Sequence, residues 1–327
     1  MTKPKIRALD PQTKQRYEAM IASTVLLDLN FHRFGESRGT NLKGVKMETH
    51  LNGEGDTQTV ALSPAAFKLS RRLLDLEVGL ALRSLFNRTS ERIKRISVPS
   101  FDRPGVFRLS YAAVDTAEAI LQDALTQLEP LKVAFREAYD SEVQKMRTLQ
   151  GDKFNPKDYP SAWLAGERWG IEWAYLETAT VPKSLRGVNQ FIYKRAVQQA
   201  AERAKLQFDA VEQTLRAGVL ACVDKMKADL QATTPLGRPR AYSDKALAKV
   251  DQFFSNFPLR NVINDGVSAE AMKAMRALLR DVPVAGALDD EFLRKQTVDG
   301  LAALADSIRP YVSEQAVRAI ALPDDDA

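Results

Sequence analysis

Side-chain catalysis needs a nucleophile with a base, or a set of metal ligands, and this sequence offers few of either. Its only histidines are His32 and His50, and its only cysteine is Cys222. Neither His-x-x-x-His nor Cys-x-x-Cys spacing occurs, so a zinc site would need carboxylates to complete it. A Ser-His-Asp triad would have to use one of those two histidines. His32 sits between Phe31 and Arg33 and reads as a strand residue. Cys222 falls on an apolar helical seam and reads as a small buried hydrophobe. Two acidic clusters remain, Asp289-Asp290-Glu291 and Asp324-Asp325-Asp326. The first suits a helix N-terminus, where carboxylates complement the dipole. The second is a polar tail, and neither makes a two-metal site.

A phosphate loop is the next possibility. Gly39-Thr40-Asn41-Leu42-Lys43-Gly44 has the glycine spacing of a Walker A motif, but Val45-Lys46 follows where Lys-Ser/Thr is required. No convincing helix follows to turn its N-terminus on the phosphates. The sequence therefore predicts no catalytic residue, no metal and no cofactor.

Positive charge is the better lead. Residues 1–110 hold 19 Lys+Arg against 11 Asp+Glu, a balance of +8, whereas residues 111–327 hold 28 against 31, a balance of −3. Such a split suits an anionic partner, DNA or RNA, at the N-terminal third; the plainer account is one basic face offsetting an acidic one. Arg88, Arg92 and Arg95 are spaced i, i+4, i+7 and project from one helix face, with Asn87 and Ser90 adding donors. Arg71, Arg72, Arg83 and Lys94 lie elsewhere along the same predicted helix. These seven are the candidate nucleic-acid contacts. Against them stands an ordinary solvated helix face, partly neutralised by Glu91. Trp163, Trp169 and Trp173 could form a recognition surface, but packing against a core fits them better.

These residues must be positioned by a mostly helical chain. Residues 10–22 read as a helix and Val25–Phe31 as a strand. Glycines 35, 39, 44, 53 and 55 make residues 35–60 a hairpin or a long loop. Ser63-Pro64 starts a helix that runs to about Ile96, with Val78, Leu82, Leu85, Ile93 and Ile96 facing the core. Val106–Leu109 is a second short strand, and a helix from Ala112 to about Gln150 should be kinked or divided by Pro130. Residues 151–160 are a loop, and Ile171–Thr180 are a third strand or a short helix.

After Pro182 a helix of roughly 45 residues reaches towards Gln231. Val197, Ala201, Ala204, Phe208, Val211, Leu215, Gly218 and Cys222 form a heptad seam along it, which then slips to Val219, Val223, Met226 and Leu230. The helix at 112–150 is its expected intramolecular partner, and a homotypic coiled coil is the alternative. Thr233–Arg240 is a linker. Shorter helices follow at about 243–256, 268–280 with Ser268 as N-cap, 289–309 and 313–320.

Composition fits this picture. With 45% hydrophobic and 27% charged residues, 327 residues can bury a sizeable core as one large or two packed domains. The most apolar stretch, Leu73–Phe86, is broken by Asp75, Glu77 and Arg83, so no membrane span is expected. The first residues carry charge without an apolar segment behind them, which with a single cysteine predicts a cytoplasmic location.

Leu82–Asn87, Val98-Pro99-Ser100-Phe101 and Gly105–Leu109, with Phe154–Ser161 and Phe257–Val262, resemble landmarks of a group of phage and mobile-element proteins. The resemblance spans roughly residues 22–310 and rests on structural punctuation. It implies a partner role, because such proteins are encoded near MoxR-type AAA+ ATPases and von Willebrand-type adaptors. It carries no catalytic residue.

The expected fold is α+β, predominantly helical, with a small N-terminal sheet. A basic portion (1–110), a long-helix portion (111–232) and a C-terminal helical subdomain (241–322) are expected in turn. The expected function is that of a non-catalytic assembly subunit working through protein contacts, with an AAA+ ATPase or itself as partner. Nucleic-acid binding is the alternative.

Overall fold

The computed structural model describes residues 11–35, 37–40, 46–50, 57–61, 69–75, 77–100, 103–177, 184–280, 282 and 285–313. It is an α+β protein dominated by helices. Helix α1 (Pro11–Ala22) leads into β1 (Thr24–His32), and β2 (Ser37–Thr40), β3 (Lys46–His50), β4 (Thr57–Ala61) and β5 (Leu69–Arg72) follow. Next come α2 (Glu77–Ile96), β6 (Val98–Pro99), β7 (Val106–Ser110), the 37-residue α3 (Val114–Gln150), α4 (Ala162–Glu167) and β8 (Gly170–Leu176). Helices α5 (Leu185–Val188), α6 (Gln190–Gln231), α7 (Asp244–Arg260), α8 (Gly266–Leu278) and α9 (Glu291–Ile308) complete the described chain.

A four-stranded sheet has the order β6-β7-β1-β8. Strands β1 and β7 pair antiparallel from Thr24↔Ser110 to Asp28↔Val106, and β6 joins β7 antiparallel through Val98↔Arg108. Gly105 makes the turn into β7 at φ +83°, with its missing Cβ 3.1 Å from the Leu29 carbonyl. An L side chain there would be strained and crowded at once. Two further antiparallel pairs are nested in sequence, β2 with β5 and β3 with β4, so of the two readings of residues 35–60, hairpin or long loop, the strand pairing agrees with the first.

The strands and most helices fall where the sequence places them, with three differences and one reading that falls outside the described residues. Helix α2 starts at Glu77, because Leu69–Arg72 pair with β2 as a strand; Ser63-Pro64 lie outside the described residues. Helix α3 runs unbroken through Pro130, since a single missing N–H is outweighed by the buried turns that flank it at Leu128 and Phe135. Helix α8 begins earlier than expected, capped by Asp265 and not by Ser268. Residues 314–320, read as a last helix, lie outside the described residues.

The chain divides into two units. One comprises Asn30–Arg88 and Leu121–Glu172. Its core is aromatic: Phe34, Phe86, Phe135, Tyr139 and Trp169 are all at most 2% exposed and meet ring to ring at centroid distances of 5.8–6.0 Å. Trp169 is thus a core residue, whereas Trp163 is exposed.

The other unit comprises Met1–Leu29, Thr89–Ile120 and Trp173–Ala327. Its core answers the seam question. Phe208, Val211 and Leu215 of α6 pack with Met20 of α1, Val98, Val262 and Ile263. Val219, Cys222, Val223, Met226 and Leu230 pack with α7, α8 and α9. Neither cluster includes a residue of α3, so among the described residues the seam is filled first by α1, Val98 and the α7–α8 connection and then by the C-terminal helices, and not by the expected helix at 112–150. Arg294 of α9 ties this unit together, donating to the carbonyls of Leu288 (2.7 Å), Arg240 (2.9 Å) and Leu230 (3.4 Å), and so fastens the linker after α6.

Candidate functional site

The seven basic candidates do not share one environment. Arg71 and Arg72 belong to β5, and the side chain of Arg71 lies outside the described set. Arg72 donates to Asp75 Oδ1 at 2.7 Å and, with Arg83, lines a cavity of about 280 Å³. Arg88 and Arg92 are exposed on successive turns of α2. Lys94 pairs with Glu91 at 2.6 Å, and Arg95 donates to Gln252 Oε1 at 3.3 Å. Of the expected basic face, Arg95 is thus bonded within the fold, and Arg88 and Arg92 are exposed.

The residues that could do bond chemistry have structural partners. His32 Nε2 lies 2.9 Å from Glu172 Oε2, with both side chains largely exposed. Cys222 is buried, and burial pushes its thiol up to about 12, so it is not a thiolate nucleophile at neutral pH. Of the acidic cluster at α9, Asp290 caps the helix by accepting from the Leu293 N–H at 2.7 Å, and Asp289 lies 3.7 Å from Arg294. Asp324–Asp326 and Asn41–Gly44 of the Walker-like run lie outside the described residues. Among the described residues no group of three His, Cys, Asp or Glu side chains could hold a metal, and no helix is long and apolar enough to cross a membrane.

One catalytic spacing escapes the reading above. Gly35-Glu36-Ser37-Arg38-Gly39 is a Gly-x-Ser-x-Gly run. A nucleophile elbow places its serine on a sharp strand-to-helix turn. Ser37 instead opens β2 and pairs in register with Arg72 of β5, so the context is missing.

Glu118, near the start of α3, collects two donors from β8. It accepts from Trp173 Nε1 at 3.2 Å and from Tyr175 Oη at 3.0 Å. Burial, followed by this bond to the carboxylate, pushes the Tyr175 phenol up to about 12. The arrangement fixes β8 against its helix and offers no proton at neutral pH.

What the structure adds is the start of α6. Asn189 caps the helix, its Oδ1 accepting from the N–H groups of Phe191 (2.9 Å) and Ile192 (3.1 Å). Between residues 190 and 203 no side chain is buried, and the seam is first covered at Ala204. Yet Phe191 is 77% exposed, Val188 just before it 80%, and Ile192 and Val197 are also exposed. The heptad spacing crosses this boundary only through Val197 and Ala201, while Phe191 and Ile192 lie on other faces of the helix. The spacing itself is readable from sequence; that its first two positions are not buried is not.

Comparison with protein-family models, with curated proteins and with solved structures finds no match.

Proposed function

We propose that the protein is a non-catalytic subunit of an assembly of the phage or mobile-element kind, acting through protein–protein contacts. The observation that carries this reading is the exposed apolar set around the start of α6: Val188 at the end of α5, Phe191 and Ile192 in the first turn of α6, and Val197 at the head of the seam that is buried further along the same helix. Apolar side chains of this size gain roughly 1.5–3 kcal/mol each on burial, so four of them left in water around one helix start support a protein contact there. The resemblance to mobile-element proteins supplies the setting, and an AAA+ ATPase or a second copy of this chain is the partner it suggests.

The test is size-exclusion chromatography with light scattering, on the protein alone and mixed with the products of its genetic neighbours. A larger species is expected that disappears in Phe191→Glu/Val197→Glu, while the variant keeps its thermal midpoint because both positions are exposed. A lone monomer in every mixture overturns the proposal.

Nucleic-acid binding is a second reading, favoured by one observation, the exposure of Arg88 and Arg92 on successive turns of α2.

A further inference from the structure

A different surface points to a partner of opposite charge. Helices α7 and α8 are joined by a short loop and enclose a groove of about 540 Å³. Phe254, Phe257 and Met272 form its floor, each less than 9% exposed, so the floor is fixed by the core beneath it. Exposed Ala269 and Ala277 keep its α8 wall low.

The rim carries one sign of charge. Lys273 and Arg276 stand on α8 and Arg280 two residues past its end, and all three are exposed. Among the described residues no aspartate or glutamate lines the groove. Glu270 reaches Lys273 only at 4.0 Å, with both side chains nearly four-fifths exposed, so solvent screens most of that attraction. Arg276 is held in place from below: Nη2 donates to the Phe254 carbonyl at 2.9 Å, and its guanidinium lies 5.2 Å above the Phe254 ring. An arginine fixed this way loses little further freedom when it meets a carboxylate.

We infer that this groove docks an acidic amphipathic helix of a partner protein. An apolar floor between two helices accepts the apolar stripe of a third, read as i, i+4, i+7 anchors. Carboxylates flanking that stripe then meet Lys273, Arg276 and Arg280. The three cations set the sign of the partner and the rate of encounter, and the floor sets affinity. A nucleic-acid backbone would use the cations but has no use for Phe254, Phe257 and Met272, which is why a protein segment fits better. The inference stands apart from the α6 reading, since it uses other residues and a partner of stated charge.

The experiment uses the full chain and fluorescence anisotropy. The probe is a fluorescein-labelled 16-residue peptide with Leu, Phe and Leu at i, i+4 and i+7 and Glu at the flanking positions. A control peptide has every Glu replaced by Gln. The acidic peptide is expected to bind at roughly 100 μM or tighter, in the range of transient contacts. Affinity should fall about tenfold in Lys273→Glu/Arg280→Glu and for the Gln control, in line with losing two or three partly exposed charge pairs. Ala277→Trp, which fills the groove without changing charge, should abolish binding. Both variants alter exposed positions, and unchanged circular dichroism confirms their fold. Absence of binding to the wild type, or equal binding by either variant, overturns the inference. So does displacement of the peptide by a single-stranded 20-nucleotide DNA whose own binding is lost in the charge-reversed variant, because that assigns the groove to nucleic acid.

Discussion

The guanidinium of Arg216, on α6, grips the carboxylate of Asp265, the cap of α8, through two bonds: Nη2 to Oδ1 at 2.8 Å and Nε to Oδ2 at 3.2 Å. Asp265 is 1% exposed and also accepts from the Ser268 N–H (3.0 Å) and hydroxyl (2.6 Å). One carboxylate thus sets the start of α8 and ties it to the long helix. Fork-to-fork geometry of this kind is both strong and directional.

Asp265→Ala is expected to cost about 2–4 kcal/mol in urea unfolding, because it takes the two-bond partner from a nearly buried guanidinium that keeps Glu212, at 2.9 Å, and leaves α8 without a cap. The pH dependence has a defined sign. Burial works to raise the Asp265 pKa, but the bonds from Arg216 and Ser268 outweigh it and hold the carboxyl below the usual range. Its contribution is therefore complete above the ordinary aspartate pKa and is lost as pH falls through the lowered folded value. Unfolding curves from pH 6 down to pH 2 should steepen in acid for the wild type, and less so for Asp265→Asn.

The same corner of the molecule shows how far the sequence could be read. Asp265 and Ser268 are both good caps three residues apart, and the spacing alone does not choose between them. The carboxylate wins because it answers Ser268 and Arg216 together. Helix α1, strands β1 and β7 and the seam of α6 were legible, since period and composition specify a local face. Leu69–Arg72 were not: Leu69 and Leu73 keep helical spacing, and only the distant partner β2 makes the segment a strand. For the same reason the seam of α6 announced that it would be buried without naming α8 and α9 as what buries it. The spacing of Lys273, Arg276 and Arg280 is plain in the sequence, but the floor beneath them exists only once α7 is placed.

Arg260 offers a contrast to Arg216 and Arg294. It is 5% exposed, its Nε has no hydrogen-bond partner among the described residues, and burial alone pulls its pKa down to about 10. Its place at the end of α7 gains up to about 2 kcal/mol from the helix dipole. Desolvating a cation costs several kcal/mol, so the penalty wins. Arg260→Met keeps the aliphatic stem and removes the charge. It should raise stability by roughly 1–3 kcal/mol, read as a higher urea midpoint at unchanged slope.

Cys222 is 4% exposed within the core shared by α6 and the C-terminal helices, and its thiol is pushed up to about 12. Alkylation needs the thiolate. Iodoacetamide at pH 8 should leave the folded protein unlabelled over hours and label one site promptly in denaturant. The native labelling rate then reports the opening of this core, and it should rise in Asp265→Ala as the tie between α6 and α8 is lost.

The exposed pair on α2 yields the last prediction. Arg88 and Arg92 are both exposed and stand one turn apart. Under the nucleic-acid reading, affinity for a DNA or RNA oligonucleotide falls steeply with salt, because phosphate contacts release counterions. Arg88→Glu/Arg92→Glu removes two such contacts, so binding weakens for every sequence alike and the slope of log affinity against log salt drops by about 2. Titrations from low to physiological salt measure both quantities at once. Unchanged affinity and slope would take α2 out of any nucleic-acid interface, while the complexes expected of α6 would be untouched, since Phe191 and Val197 do not depend on these charges.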